Sequence, residues 1–222
     1  MLTLVLADSE LELVPPEIQQ HPAIRSSAQK RGKSPAKILL DSSLHHAAMT
    51  KLPQGERRGR PDIVHMFLSI CLDSILNVEG SLRTVVHTRN NEMITIAPET
   101  RIPRNYTRFV GLAEDLFEKG RVPEGGAPLL TMERGKDLKA VLEGIGGGSV
   151  ALDPAGRMVD LAAFSAKKKG DMTMVIGGFP HGGFNSPVKD LCDELISIHE
   201  SQLKVWTVTA EVLVSYRGRK TG

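Results

Sequence analysis

The sequence predicts an α/β protein with a mostly parallel sheet, helices on both faces and an inserted β-hairpin. Three observations carry this: an apolar first strand, a β-branched hairpin pattern near residue 90, and alternating helical and extended patterns from Leu138 onward. Such alternation buries parallel strands beneath the helices that connect them. The 222 residues suffice for one domain with a real core. With 41% hydrophobic and 24% charged residues, disordered and fibrous classes are excluded.

Residues 2–7 form the apolar first strand. The run is short, no basic residue precedes it and Asp8 follows it, so it lacks a signal peptide's layout. No apolar run reaches the roughly 18 residues of a membrane helix. Cys71 and Cys192 lie far apart in apolar stretches, as reduced structural cysteines do. A soluble cytoplasmic protein with no membrane partner is expected.

Residues 29–37 are basic and broken by Gly32 and Pro35, which predicts a mobile surface loop. Residues 38–40 predict a short buried strand. Arg60-Pro61-Asp62 opens a helix, because proline suits the first helical position and a carboxylate suits the first turn. Its predicted core face is Ile63, Met66, Phe67, Ile70 and Ile75.

Residues 82–88 and 93–97 are β-branched runs joined across Arg89-Asn90-Asn91-Glu92, where asparagine tolerates the positive φ of a tight turn. They define the inserted hairpin, about residues 78–98. A helix is predicted from an Asn105 cap to Lys119, stopped by Gly120 and buried through Phe109, Leu112, Leu116 and Phe117. Beyond it, residues 136–143 and 161–166 read as helical, and 150–152 and 172–176 as extended. Residues 205–214 are rich in valine and threonine, so propensity alone makes them a strand.

Several catalytic signatures are missing: His-Glu-x-x-His, Cys-x-x-Cys, Gly-x-Ser-x-Gly and the Walker lysine loop. No metal is therefore expected. Gly144-Ile145-Gly146-Gly147-Gly148-Ser149 precedes a strand where a dinucleotide loop must follow one, and reads as a flexible turn. His45 and His46 point apart on a helix and read as surface residues.

Ile176-Gly177-Gly178-Phe179-Pro180-His181-Gly182-Gly183 differs, because it directly follows a buried strand. Open parallel sheets hold ligands beyond the carboxyl ends of their strands, and glycines there admit a close backbone approach. A tight loop that needs glycine only for its turn explains the position equally well.

Net charge is +2, too small to argue for nucleic acid. The arginines cluster, however. In Arg57-Arg58-Gly59-Arg60-Pro61-Asp62 the carboxylate is placed to hold one guanidinium in a bidentate pair, and the alternative is a basic loop whose acid caps a helix. Arg101, Arg104 and Arg108 form a second triplet, with the last two as neighbours on one helix face. Two triplets together suggest a surface that tracks phosphates.

Four motifs in order carry a resemblance: Glu56-Arg57-Arg58-Gly59-Arg60-Pro61-Asp62-Ile63, Leu72-Asp73-Ser74-Ile75-Leu76-Asn77, Thr100-Arg101-Ile102-Pro103-Arg104 and Ile176-Gly177-Gly178-Phe179-Pro180-His181-Gly182. The chain resembles the ribosome-biogenesis pseudouridine N1-methyltransferases of the SPOUT class over most of its length. That resemblance implies a C-terminal trefoil knot over about residues 149–216 of a single domain, 1–222. It also implies a homodimer, S-adenosylmethionine as cofactor, and a loop pseudouridine of small-subunit ribosomal RNA as substrate.

By position it places cofactor binding at Leu152, Gly177, Gly182, Ile198, His199, Glu200, Ser201, Gln202 and Leu203. The last six depart from the family's serine-rich wording. RNA contacts fall to Arg60, Arg101, Arg104 and Arg108, and residues 205–216 become a helix against their propensity.

A sulfonium methyl is already activated, so the main task is to align the acceptor nitrogen for in-line displacement. Arg60, steadied by Asp62, is the candidate for stabilising the anion that develops on the base; Asp62 as a general base is the weaker version. The target is expected to be an unpaired nucleotide. Rival readings are a non-catalytic RNA-binding assembly factor and a methyltransferase acting on tRNA.

Overall fold

The computed structural model describes residues 1–168 and 170–219. Strand β1 (Leu2–Ser9) is followed by helices α1 (Pro22–Lys30), α2 (Ser42–Met49), α3 (Pro61–Leu72) and α4 (Ile75–Val78). Strands β2 (Leu82–Thr88) and β3 (Glu92–Ile96) lead into α5 (Tyr106–Lys119), β4 (Arg121–Val122) and β5 (Leu130–Arg134). The remainder alternates: α6 (Leu138–Ile145), β6 (Gly148–Met158), α7 (Leu161–Lys167), β7 (Met172–Gly177), α8 (Val188–Leu191), β8 (Glu194–Ser197) and α9 (Val205–Gly218).

One eight-stranded sheet has the order β4-β5-β3-β2-β1-β7-β6-β8. The five strands from β2 to β8 run parallel, while β3, β5 and β4 each pair antiparallel with their neighbour. Strands β2 and β3 turn at Asn91, whose φ is 60°. Because β2 takes β1 as its second neighbour, this pair belongs to the main sheet.

Side chains alternate along β1 as a strand buried on both faces requires. Leu2, Leu4 and Leu6 meet α3, α5, α7 and α9 on one face, where Phe67, Phe109, Phe164 and Tyr216 fill the core. Val5 and Ala7 meet Leu138 and Val141 of α6 and Val188 of α8 on the other. A third, smaller cluster seals α1 and α2 against Val14, Ile38 and Leu40.

Helix α5 has the predicted ends: the Asn105 side chain accepts from the Arg108 N–H, and Gly120 is left-handed at φ 74°. Helix α9 contradicts its strand propensity. Its burial against α3 and α7 decides the matter, and the Thr209 hydroxyl donates to the Val205 carbonyl instead of competing for the backbone elsewhere.

Four expectations are corrected. On α3, Met66 is exposed and the core face also takes Val64, Leu68 and Cys71, while Ile75 lies beyond the helix and is exposed. Residues 38–40 are buried, yet they make only an isolated antiparallel bridge, Leu13 to Leu39. The loop at 29–37 is clamped to α5: the fully buried Glu114 accepts both Arg31 nitrogens, Lys33 Nζ at 2.9 Å and the Leu39 N–H at 3.0 Å. Lys37 pairs with Glu118.

His45, finally, is buried, with Nδ1 accepting from the Asp41 N–H at 3.0 Å. Burial lowers the pKa of His45 and of the equally enclosed His87. Desolvation disfavours the imidazolium, so both rings should titrate below an ordinary imidazole. An NMR titration reads this directly, and a midpoint at or above that of a free imidazole for either ring would contradict it.

Candidate active site

The carboxyl ends of β7 and β8 and the middle of β6 surround a cleft of about 580 Å³, open space included. Small-molecule sites span roughly 300–1,000 Å³. One wall is Leu152 to Pro154, where β6 departs from its register with β8. A second is Ile176, Gly177, Phe179, Gly182 and Phe184, and the third runs from Ile196 to Leu203, with Val205 and Val208 of α9 below.

Of the nine positions predicted for a cofactor, eight line this cleft: Leu152, Gly177, Gly182, Ile198, His199, Ser201, Gln202 and Leu203. Glu200 is exposed and does not line it. The loop holds itself: Ser197 Oγ donates to the His199 carbonyl at 2.8 Å, and the Ser201 N–H donates to His199 Nδ1 at 3.0 Å. Sequence reasoning missed Asp153, whose Oδ1 caps the Ala155 N–H at 2.8 Å beside the cleft. It also missed the rings of Phe179 and Phe184, which meet edge to face at 5.2 Å. Phe179 sat inside a quoted motif, but only its glycine neighbours carried a signal.

The glycines of the turn have structural duties as well. A Cβ on Gly178 would lie 2.4 Å from Ser9 Oγ, and one on Gly177 would lie 2.5 Å from the Phe179 ring. Gly182 is left-handed at φ 82°. Three glycines thus have steric or conformational grounds of their own, and the same loop walls a cleft. Its far end is fixed where Ser186 donates its N–H and hydroxyl to Asp8, at 2.8 and 2.6 Å.

An open polar basin adjoins the cleft, lined by Asp41, His46, Arg60, Asp62, Tyr106, Pro180 and His181. Arg60 and Asp62 form the predicted bidentate pair, Nε to Oδ1 at 2.8 Å and Nη2 to Oδ2 at 2.7 Å. The Asp62 hydrogen bond raises the Arg60 pKa further, so the guanidinium stays charged. With both Asp62 oxygens engaged in this pair, the carboxylate serves better as a brace than as a base. Tyr106 donates its hydroxyl to Asp41 Oδ2 at 2.6 Å, and burial first, then Asp41, push its pKa far above the usual phenol.

Here the two arginine triplets part company. Arg57 and Arg58 are buried: Arg57 Nε pairs with Glu10 at 2.6 Å, and Arg58 forks onto Glu12 at 2.8 and 2.7 Å. Of the first triplet only Arg60 reaches the basin. Burial by the two glutamates that follow β1 left no mark in the arginine pattern itself. Arg101, Arg104 and Arg108 are exposed, with no ion pair among the described residues. Arg104 precedes the Asn105 cap, so it does not share a helix face with Arg108 as the spacing implied.

An apolar cleft against parallel strands shares one turn with an arginine-bearing basin, as an α/β enzyme that brings two reactants together requires. The chain belongs to the EMG1/NEP1 methyltransferase family, whose model matches residues 4–217. It is 56% identical over 217 residues to the ribosomal RNA small subunit methyltransferase Nep1 of Methanothrix thermoacetophila, covering 97% of this chain and 95% of that one. The Nep1 of Thermococcus sibiricus is 50% identical over 221 residues, covering 98% of each. The crystal structure of Archaeoglobus fulgidus Nep1 bound to S-adenosylhomocysteine superposes with a TM-score of 0.89 at 37% identity, over 99% of both chains.

Proposed function

We propose that this chain is an S-adenosylmethionine-dependent methyltransferase acting on N1 of a pseudouridine in an unpaired loop of small-subunit ribosomal RNA. The observation that carries the reading is the shared turn: Gly177, Phe179 and Gly182 wall the cleft while Pro180 and His181 wall the basin. A donor in one hollow and an acceptor in the other would meet across it. Relatives named as small-subunit ribosomal RNA methyltransferases, and a solved neighbour that holds the demethylated donor, supply the substrate and cofactor classes.

The cleft fits the cofactor. Leu152, Ile176, Ile196 and Leu203 offer apolar surface to an adenine, and the backbones of 177–182 and 198–203 offer donors and acceptors. The cofactor supplies a methyl already activated on sulfur. Arg60 faces the acceptor base and favours the anion left when the nitrogen loses its proton, while Asp62 fixes the guanidinium plane. Arg101, Arg104 and Arg108 hold the RNA backbone.

The same reading includes a cytoplasmic homodimer and a trefoil knot. In keeping with the knot, Leu152 and Arg157 both pair with Ile196, and a Cβ on the intervening Gly156 would lie 2.5 Å from the Ile196 backbone, so β6 bulges closely against β8.

Labelled donor with a pseudouridine stem-loop, a tRNA and a plain duplex as competing acceptors tests the reading. Labelling of the stem-loop alone, with the methyl located on N1 by mass analysis, is expected. Transfer to tRNA in preference, or to none despite cofactor binding, would favour the rival readings instead. Replacing Arg101, Arg104 and Arg108 together by alanine should weaken stem-loop binding and lower its salt slope by about 3, with cofactor affinity unchanged. An unaltered slope would remove them from the interface.

A further inference from the structure

We infer that Arg57 couples the two hollows, so that filling the cofactor cleft strengthens RNA binding in the basin. The inference rests on the function proposed above. Arg57 belongs to the segment that carries Arg60, three residues on, and its guanidinium packs against the glycine turn. Nη1 donates to the Gly183 carbonyl at 2.9 Å, and the group lies 4.4 Å above the centre of the Phe179 ring. That ring walls the cleft and abuts Gly177. Two weaker ties run alongside: His181 Nε2 approaches the Glu56 carbonyl at 3.3 Å, and Gln54 Nε2 donates to Asn185 at 3.4 Å.

The anchor beneath these ties is buried. Glu10 holds Arg57 through one oxygen and Arg89, at 2.5 Å, through the other, and Arg89 reaches on to Gln54 at 3.2 Å. Arg57 Nη2 is buried with no hydrogen-bond partner, which leaves one donor uncommitted at the seam. A turn drawn onto a cofactor thus moves against a cationic plane one short segment from the Arg60–Asp62 pair. Arg58 is an internal contrast: its fork is equally buried but spent on Glu12, away from the turn. Arg57 is accordingly a positioning residue.

The measurement is the dissociation constant of a pseudouridine stem-loop RNA, without and with saturating S-adenosylhomocysteine. The wild-type protein should bind RNA at least about five-fold more tightly when the cleft is full, and linkage requires the RNA to tighten cofactor binding by the same factor. Arg57→Lys keeps the charge for Glu10 and loses the planar contact with Phe179 and Gly183, so the factor should fall to near one. Arg58→Lys should retain it. Phe179→Leu removes the stacked ring and leaves the Glu10 pair intact, so it decides the matter if Arg57→Lys does not fold; saturation at its own affinity cancels any loss of cofactor binding.

A wild-type factor of one, or a wild-type factor preserved in folded Arg57→Lys or Phe179→Leu protein, overturns the inference while leaving the proposed function standing. Failure of the wild-type protein to bind either ligand overturns both.

Discussion

Replacing Arg60 by alanine is expected to lower kcat for methyl transfer about 10²- to 10³-fold, the cost of removing one preorganised donor at a developing anion. Stem-loop affinity should fall by no more than about ten-fold, the share of a single guanidinium contact. The separation between the two numbers is the diagnostic, since a residue that only grips RNA would lose both alike. Asp62→Asn should do less harm, because the amide still accepts one hydrogen bond from Arg60 while the charge that fixes the plane is gone. Single-turnover kinetics with bound RNA would read the chemical step; an unchanged rate for Arg60→Ala would take that residue out of catalysis.

The second large effect concerns the frame. Glu114→Ala should destabilise the protein by about 3 kcal/mol, because it removes the partner of Arg31, Lys33 and a buried Leu39 N–H together. For a chain of this size that is a Tm lower by roughly 6–12 °C. Arg31 and Lys33 are partly exposed and can turn to water, so the larger costs of a wholly buried charge do not apply. Glu114→Gln, which retains an acceptor for Leu39, should lose less. Calorimetry settles the order, and equal Tm values for Glu114→Ala and wild type would mean the clamp contributes nothing.

What could be read from the sequence follows from how local each signal is. The Asn105 cap, the Gly120 stop and the Asn91 turn announce themselves in one or two residues, and each stands where expected. The Arg60–Asp62 fork was legible because its partners are two positions apart. Arg57 and Arg58 were not, since the glutamates that bury them lie 47 and 46 residues away. Glu114 similarly reaches 83 residues back to Arg31. Helix α9 was legible only through the family resemblance, because its threonines and valines favour a strand until α3 and α7 pack against it. The cleft is the mixed case: its glycines stood out, while Phe179, Phe184 and Asp153 had no periodicity to mark them.

Strand β1 sits at the centre of the sheet with β2 on one side and β7 on the other, and that second neighbour begins at Met172. Synthesis from the amino end therefore leaves an apolar strand with one unsatisfied edge until about three quarters of the chain exists. Such an edge invites pairing with other chains. The cleft, lined from Leu152 to Val208, closes only after β7 is in place. Protection of the strand thus precedes competence to hold a cofactor, and a shortened product ending before β7 would be both aggregation-prone and inert.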